Sequence, residues 1–235
     1  DGFATGKAYL KDLSGKNPYL FADLTVNNFL FEKGRMGTLK AKAMFNNTEK
    51  QIDINAVATD GQKRRTSILG YVSPQKNYID LNINAHNTRL EFMESFCSSF
   101  MHDVDARANG SVRLSGSLDN INLTGMLVAD GTLGITPLNT NYTLRNDTIR
   151  FIPDEIEFRN DSIFDKDGNT GIVEGNIHHK HLTNLSYDLS VVSDNLLAFN
   201  TDGENGDSFY GTVYATGDCK IKGRSGEVVM DINVV

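Results

Sequence analysis

Apolar and polar residues alternate along most of this chain, which is the pattern of strands that have one buried face. The alternating runs lie at 19–26, 37–45, 51–58, 78–85, 110–118, 121–135, 184–192, 211–223 and 227–234. Turn-forming residues, mostly Asn, Asp and Gly, separate them at 46–50, 59–63, 73–77, 145–147, 165–169 and 201–207. We therefore predict an all-β chain whose strands follow one another as an antiparallel meander.

One segment departs from the alternation and has the spacing of a helix. Its apolar residues are Leu90, Met93, Phe96, Cys97, Phe100 and Met101. The spacing predicts one short amphipathic helix near residues 89–101, about four turns long. Thr88 is expected to cap it, with Glu91 completing a capping box. Its apolar face needs a partner, so we expect it to cover one end of the sheet.

Glycine recurs on the apolar side of the long runs, although it is a poor strand former. In GTVYATGDCKIKG, residues 211–223, every second position is apolar or glycine, and 110–118 and 121–135 repeat the pattern. Glycine there is expected either to let the sheet coil sharply or to leave space beside the apolar side chains. Because no second layer is predicted, something else must cover this face.

Composition narrows the functional classes. The chain has 235 residues, 39% of them hydrophobic, and a formal net charge of −7. This length admits one large β domain or two small ones. The acidic balance argues against a nucleic-acid partner, which requires clustered Lys and Arg; the basic cluster at 63–65 is interpreted as a solvated turn. The chain opens on Asp1 and closes within an alternating run, so we interpret it as part of a longer protein.

Candidate reactive groups are few, and each has a structural interpretation. Cys97 and Cys219 are interpreted as buried thiols, with one disulfide between them left open. His178, His179 and His181 suggest zinc, but neighbouring strand residues point to opposite faces, which favours a polar strand end. The stretch 165–169 departs from calcium-loop spacing and favours a hairpin turn. The sequence also has no G-x-S-x-G motif. We predict no enzyme activity, no cofactor and no metal site.

Four stretches resemble the TamB family, specifically its C-terminal translocation-and-assembly-module domain. They are GSVRLSGSLDNINLTGMLVADGTLGI (110–135), NTNYTLRNDTIRFIPDEIEFRNDSIFDKDGNTGIVEGNIHH (139–179), LTNLSYDLSVVSDNLLAFNT (182–201) and FYGTVYATGDCKIKG (209–223). The resemblance runs from about residue 90 to residue 235. It divides the chain into a β-repeat segment, 1–88, and a TamB-like segment, 89–235. A proline that the family often carries after the first of these strands is absent.

The resemblance implies a β-taco, an elongated, coiled antiparallel sheet or half-open barrel with an apolar interior groove. It implies a periplasmic, non-enzymatic lipid conduit that supports phospholipid transport between the inner and outer membranes and outer-membrane protein assembly. The implied partners are phospholipid acyl chains and a TamA-like outer-membrane barrel of the BamA superfamily. The parent protein is implied to be anchored in the inner membrane.

Alternation and resemblance together select residues expected to line the groove. They are Val112, Leu114, Ile121, Leu123, Leu127, Leu133, Ile149, Phe151, Ile156, Phe158, Leu185, Tyr187, Leu189, Val213, Ala215 and Ile221. Clearance is expected from Gly116, Gly125, Gly211 and Gly217. The cargo is either lipid or nascent outer-membrane strands. The alternative function is a closed β-sandwich, structural or adhesive, that binds protein or glycan on its outer surface.

Overall fold

The structure, a computed structural model, describes residues 1–12, 19–98, 100–180, 183–201, 210–224 and 227–235. Within these residues fourteen strands form one antiparallel sheet, hydrogen-bonded in chain order from β1 to β14. The strands are β1 (Phe3–Lys11), β2 (Tyr19–Phe31), β3 (Gly34–Asn46), β4 (Gln51–Asp60), β5 (Arg64–Ser73), β6 (Tyr78–Arg89), β7 (Met101–Ser117), β8 (Asn120–Ile135), β9 (Thr140–Ile152), β10 (Glu155–Phe164), β11 (Thr170–Lys180), β12 (Thr183–Thr201), β13 (Gly211–Arg224) and β14 (Glu227–Val234).

The predicted all-β meander is confirmed, because every strand pairs with its neighbours in the chain. The turns predicted at 46–50, 59–63 and 73–77 also occur, although Arg64 and Arg65 belong to β5. The turn predicted at 201–207 lies outside the described residues after Thr201. Five strands, β1, β5, β9, β10 and β11, have no counterpart among the predicted runs. In β1 the alternation is broken by Gly6, and β5 has a polar start.

The helix is shorter than predicted, and the predicted N-terminal cap is wrong. A 3₁₀ turn (Glu91–Met93) leads into α1 (Glu94–Cys97), and no side chain caps it. Thr88 belongs instead to β6, where its hydroxyl lies 2.7 Å from that of Thr66. Met101 begins β7, so the last apolar residue of the predicted helix joins the sheet. Strand pairing outweighs a helical pattern that is too short to be stable alone. No helix in the described part of the chain combines the length and apolarity needed to cross a bilayer.

The turn predicted at 145–147 is also wrong, since this stretch lies inside β9. Asn146 adopts a left-handed backbone with φ of 56°, and Asn160 in β10 does the same with φ of 54°. The register between β10 and β11 shifts between Phe158 and Asp161. Asn tolerates this conformation better than most residues. The Asn residues therefore mark β-bulges within long strands, not chain reversals.

The residues group into two compact units. Unit 1 comprises Asp1–Phe92, Ala108–Leu127 and Phe151–Pro153; unit 2 comprises Met93–Arg107, Val128–Arg150 and Asp154–Val235. In unit 1 the buried apolar residues are Ala56, Ala58, Ile79, Leu90, Ala108 and Val112. In unit 2 they are Cys97, Val104, Ala106, Ala129, Tyr142, Leu189, Leu196, Leu197, Ala215 and Ile221.

The backbone conformation explains where the recurrent glycines lie. Gly116, Gly125, Gly211 and Gly217 have φ between +130° and +145°, a region that essentially only glycine occupies. A Cβ on Gly217 would lie 2.2 Å from the carbonyl oxygen of Asn233 on the adjacent strand. All four glycines thus permit a mirror-image strand conformation, and Gly116, Gly125 and Gly217 also permit a close approach of the neighbouring backbone.

Substituting Gly175 and Gly211 separates the effect of backbone conformation from that of the close backbone approach. Gly175 and Gly211 have similar φ, +126° and +134°, but a Cβ on Gly175 would lie 2.2 Å from the Asp188 carbonyl oxygen, whereas one on Gly211 would meet no atom of the described residues within 4 Å. Gly211→Ala should lower the free energy of unfolding by the backbone strain, about 1–3 kcal/mol. Gly175→Ala should lower it further, as measured by urea unfolding. Equal losses would show that the close approach does not matter.

Candidate functional site

The strands of unit 2 bring apolar side chains together in rows across the sheet. One row runs through paired positions from β10 to β14: Phe158, Gly175, Leu189, Ile221 and Met230. The next row on the same face is Asp161, Val173, Val191, Cys219 and Ile232. Side chains along one strand reach the same face at every second residue, so this pairing concentrates them on one side.

This face lines a cavity of about 860 Å³, wholly within unit 2. That volume falls in the range of about 300–1,000 Å³ typical of small-molecule sites. The lining is predominantly aliphatic and aromatic and comes from the chain between β8 and β14, with the addition of Phe100 in the turn before β7 and Met101, the first residue of β7.

The predicted groove residues fall into three groups. Those lining the cavity are Leu133, Ile149, Phe158, Leu189, Val213, Ala215 and Ile221. Those in unit 2 outside its lining are Ile156, Leu185 and Tyr187. Those in unit 1, and hence outside this cavity, are Val112, Leu114, Ile121, Leu123, Leu127 and Phe151.

The four glycines predicted to give clearance also lie outside the lining. Other glycines give room to side chains in unit 2. A Cβ on Gly223 would lie 2.8 Å from the Tyr187 hydroxyl, so this ring packs over the glycine and reaches Phe100, 5.1 Å away between centroids. Leu196 packs over Gly171 in the same way, with a methyl carbon 2.9 Å from the Cβ position.

Sequence reasoning missed many lining residues, in part because β9 to β11 were not among the predicted runs and in part because bulges change which side chains face inward. The missed apolar set includes Phe100, Met101, Ile135, Leu138, Tyr142, Leu144, Ile163, Val173, Ile177, Val191, Leu196, Phe199, Cys219, Met230, Ile232 and Val234. The register between β12 and β13 shifts twice, between Ser193 and Leu196 and between Leu197 and Phe199.

Two buried carboxylates, Asp147 and Asp161, also line the cavity. Asp147 accepts the backbone N–H groups of Arg145 and Ser162, at 2.8 and 3.0 Å. Asp161, in β10, accepts the backbone N–H groups of Thr148 and Arg159, at 3.2 and 2.9 Å. A sequence signal for this pair of carboxylates exists, since the tripeptide Arg-Asn-Asp occurs twice, at 145–147 and 159–161.

These carboxylates make the cavity acidic as well as apolar. Burial raises the pKa of Asp147; the two backbone N–H groups oppose this, and the charge of Asp161 adds to it. The hydrogen bonds satisfy the bulged backbone at both positions. A second anion placed deep in the cavity would meet both repulsion and desolvation, so the lining favours uncharged hydrocarbon over an anionic group.

Asp165 holds the β10–β11 hairpin turn to the body of unit 2. Its carboxylate accepts the N–H groups of Asp167 and Asn169 and the Asn169 side-chain amide, each at 2.9 Å. It also accepts the N–H of Leu197 in β12, at 2.9 Å. Burial alone would raise the pKa of Asp165, but these hydrogen bonds outweigh it and hold the pKa below its ordinary value. The hairpin predicted at 165–169 is thus confirmed.

The remaining candidate groups do not form a reactive centre in the described residues. Cys97 and Cys219 are free thiols, and burial raises the pKa of both, so they are protonated at neutral pH. His178 lies 3.2 Å from a Glu155 carboxylate oxygen, His179 is buried, and His181 lies outside the described residues. Within the described chain no group of three His, Cys, Asp or Glu side chains is arranged to hold a metal ion.

Comparison of the chain with family models, with curated proteins and with solved structures gives no match in any of the three. The resemblance to the TamB family therefore stays a prediction that depends on the residues quoted for it.

Asp165→Asn should destabilise the protein, because an amide cannot accept all the hydrogen bonds that the carboxylate takes. We expect a loss of about 1–3 kcal/mol at pH 7 by urea unfolding. The pKa of Asp165 is lowered on folding, so its contribution is present above the unfolded pKa of about 3.9 and lost as pH falls through the folded value.

The stability difference between wild type and variant should therefore shrink as the pH falls from 5 towards 3. Asp194→Asn, an exposed position on β12, is the matched control and should change stability little at any of these pH values. A difference that grows with acidity would contradict the assigned role of Asp165.

Proposed function

We propose that this chain is a non-enzymatic module that takes up acyl chains of phospholipids. Its resemblance to the TamB family supports a role in the periplasm, where it assists phospholipid transport between the inner and outer membranes. The same resemblance supports a linked role in outer-membrane protein assembly. The partner is a TamA-like barrel protein of the BamA superfamily, and the parent protein is anchored in the inner membrane. The apolar cavity of unit 2 is the observation that carries this proposal.

The energetics of the cavity are adequate for reversible lipid binding. Burial of hydrocarbon contributes about 0.8 kcal/mol per CH₂, so about eight buried methylenes contribute about 6 kcal/mol. Such binding requires no catalytic group, and the lining offers apolar contact from many strands. The headgroup stays outside, because Asp147 and Asp161 disfavour an anion within the lining.

The alternative, a closed β-sandwich, receives less support from the architecture. A sandwich packs two sheets face to face, whereas the described strands belong to one sheet in chain order. A dry core also has no need of a cavity this large, since protein interiors contain few voids larger than a water molecule. We therefore place lipid binding first.

Leu189→Asp tests the proposal. Leu189 is buried on the cavity side of β12, and a carboxylate there should reduce retention of phospholipid, and uptake of a fluorescent fatty acid, by about tenfold or more. The matched control is Val192→Asp, on the same strand, where the side chain is 57% exposed. Mass spectrometry of organic extracts and a fluorescence titration give the two measurements.

A second variant covers the case in which Leu189→Asp does not fold. Ala198→Trp fills the cavity with an uncharged ring and should also reduce uptake. Equal lipid retention by the wild type, Ala198→Trp and folded Leu189→Asp would overturn the lipid-binding proposal.

A further inference from the structure

The apolar face of unit 1 ends in a cluster of arginines. Along β4 and β5 the paired positions on this face change from Ala56 with Ile68, through Ala58 with Thr66, to Asp60 with Arg64. Side chains two residues apart on a strand point to the same side. The face therefore passes from hydrocarbon to guanidinium within two steps along the strands.

Three arginines converge on the buried carboxylate of Asp60. Its Oδ1 lies 3.2 Å from Nη2 of Arg35. Its Oδ2 lies 3.2 Å from both Nη1 of Arg64 and Nε of Arg89. Arg89 also pairs with Glu91, whose carboxylate accepts the backbone N–H of Arg35 at 3.4 Å. The charged groups come from β3, β4, β5, β6 and the 3₁₀ turn that follows β6.

This cluster has more hydrogen-bond donors than its carboxylates can satisfy. Each guanidinium has five N–H donors, and each carboxylate has about four acceptor sites. The Arg64 Nε is shielded from solvent and has no hydrogen-bond partner among the described residues. With three arginines against Asp60 and Glu91, the cluster keeps a positive charge on a chain whose net charge is −7.

We propose that this arginine cluster binds a phosphate-type oxyanion. Guanidinium groups bind phosphate through paired, charge-assisted hydrogen bonds. The cleft between these side chains is only about 10 Å³, so the anion docks on the exposed side of the cluster, where the Arg35 side chain is 66% exposed. The adjoining apolar residues suit the hydrocarbon chain of an amphiphile, while the guanidiniums suit its phosphate or a free phosphate ion.

This site is independent of the cavity in unit 2, since every residue of the cluster belongs to unit 1. Its existence does not require the lipid-transport proposal to be correct. The basic cluster noticed in the sequence at 63–65 thus supplies one arginine to a shared site: Arg64 joins the cluster, whereas Arg65 is exposed on the other face of β5.

The adjacent arginines provide a matched pair of variants. Isothermal titration calorimetry at low ionic strength should compare dodecyl phosphate, inorganic phosphate and dodecanol as probes. Arg64→Met should weaken binding of the phosphate probes by about tenfold or more, whereas Arg65→Met should leave it unchanged. Arg35→Met removes the most exposed member and should weaken binding as well, even if Arg64→Met does not fold. Dodecanol should bind equally to all variants.

The two phosphate probes identify the source of the anion. If Arg64→Met weakens the binding of dodecyl phosphate but not of inorganic phosphate, the site is assigned to an amphiphile headgroup. If Arg64→Met weakens the binding of both probes equally, the site is assigned to free phosphate. Repeating the titration in Leu189→Asp distinguishes this site from the cavity, because the Arg64-dependent component should persist there. No binding of either phosphate, or equal affinities in Arg64→Met, Arg35→Met and Arg65→Met, would overturn the proposal.

Discussion

The constraint on which this structure depends is the hydrogen-bond ladder that joins each strand only to its neighbours in the chain. A ladder fixes register, and register fixes which side chains share a face. The Phe158 row and the Asp161 row of unit 2, and the paired alanines and isoleucines of β4 and β5 in unit 1, all follow from it. Because the described strands form a single sheet, no second sheet from them lies opposite such faces, so the apolar side needs another partner.

Much of the strand order was predictable because alternation and turn residues are local signals. The hairpin held by Asp165 is an example, since its hydrogen bonds lie mostly within the turn itself. The helix length was not predictable, because Met101 satisfies the helical period but joins the sheet as the first residue of β7, which leaves Phe100 in the turn before it. The pattern at 145–147 predicts a turn where the structure has a bulge, because Asn is common in both. Bulges change the phase of the side chains that follow them, and β9 to β11 have no predicted run, so the cavity lining was only partly predictable.

Charged groups lie on both apolar faces, and each is tied to the backbone or to opposite charges. In unit 2, Asp147 and Asp161 accept the N–H groups that the bulges leave unpaired. In unit 1, Asp60 is surrounded by guanidiniums. Neither arrangement is visible in composition, because it depends on residues far apart in the chain, such as Arg35 and Arg89. The two units consequently have opposite local chemistry, acidic in one and basic in the other.

The strict neighbour-to-neighbour order of β1 to β14 has a consequence for how such a protein forms and changes. Contacts between adjacent hairpins close short loops, and low contact order favours rapid folding. Growth of the sheet can advance from one end as the polypeptide leaves the ribosome, without waiting for distant segments. Insertion or loss of a whole hairpin leaves the remaining pairings intact, as in solenoid repeats. Length in this architecture is thus a quantity that evolution can adjust in steps of two strands.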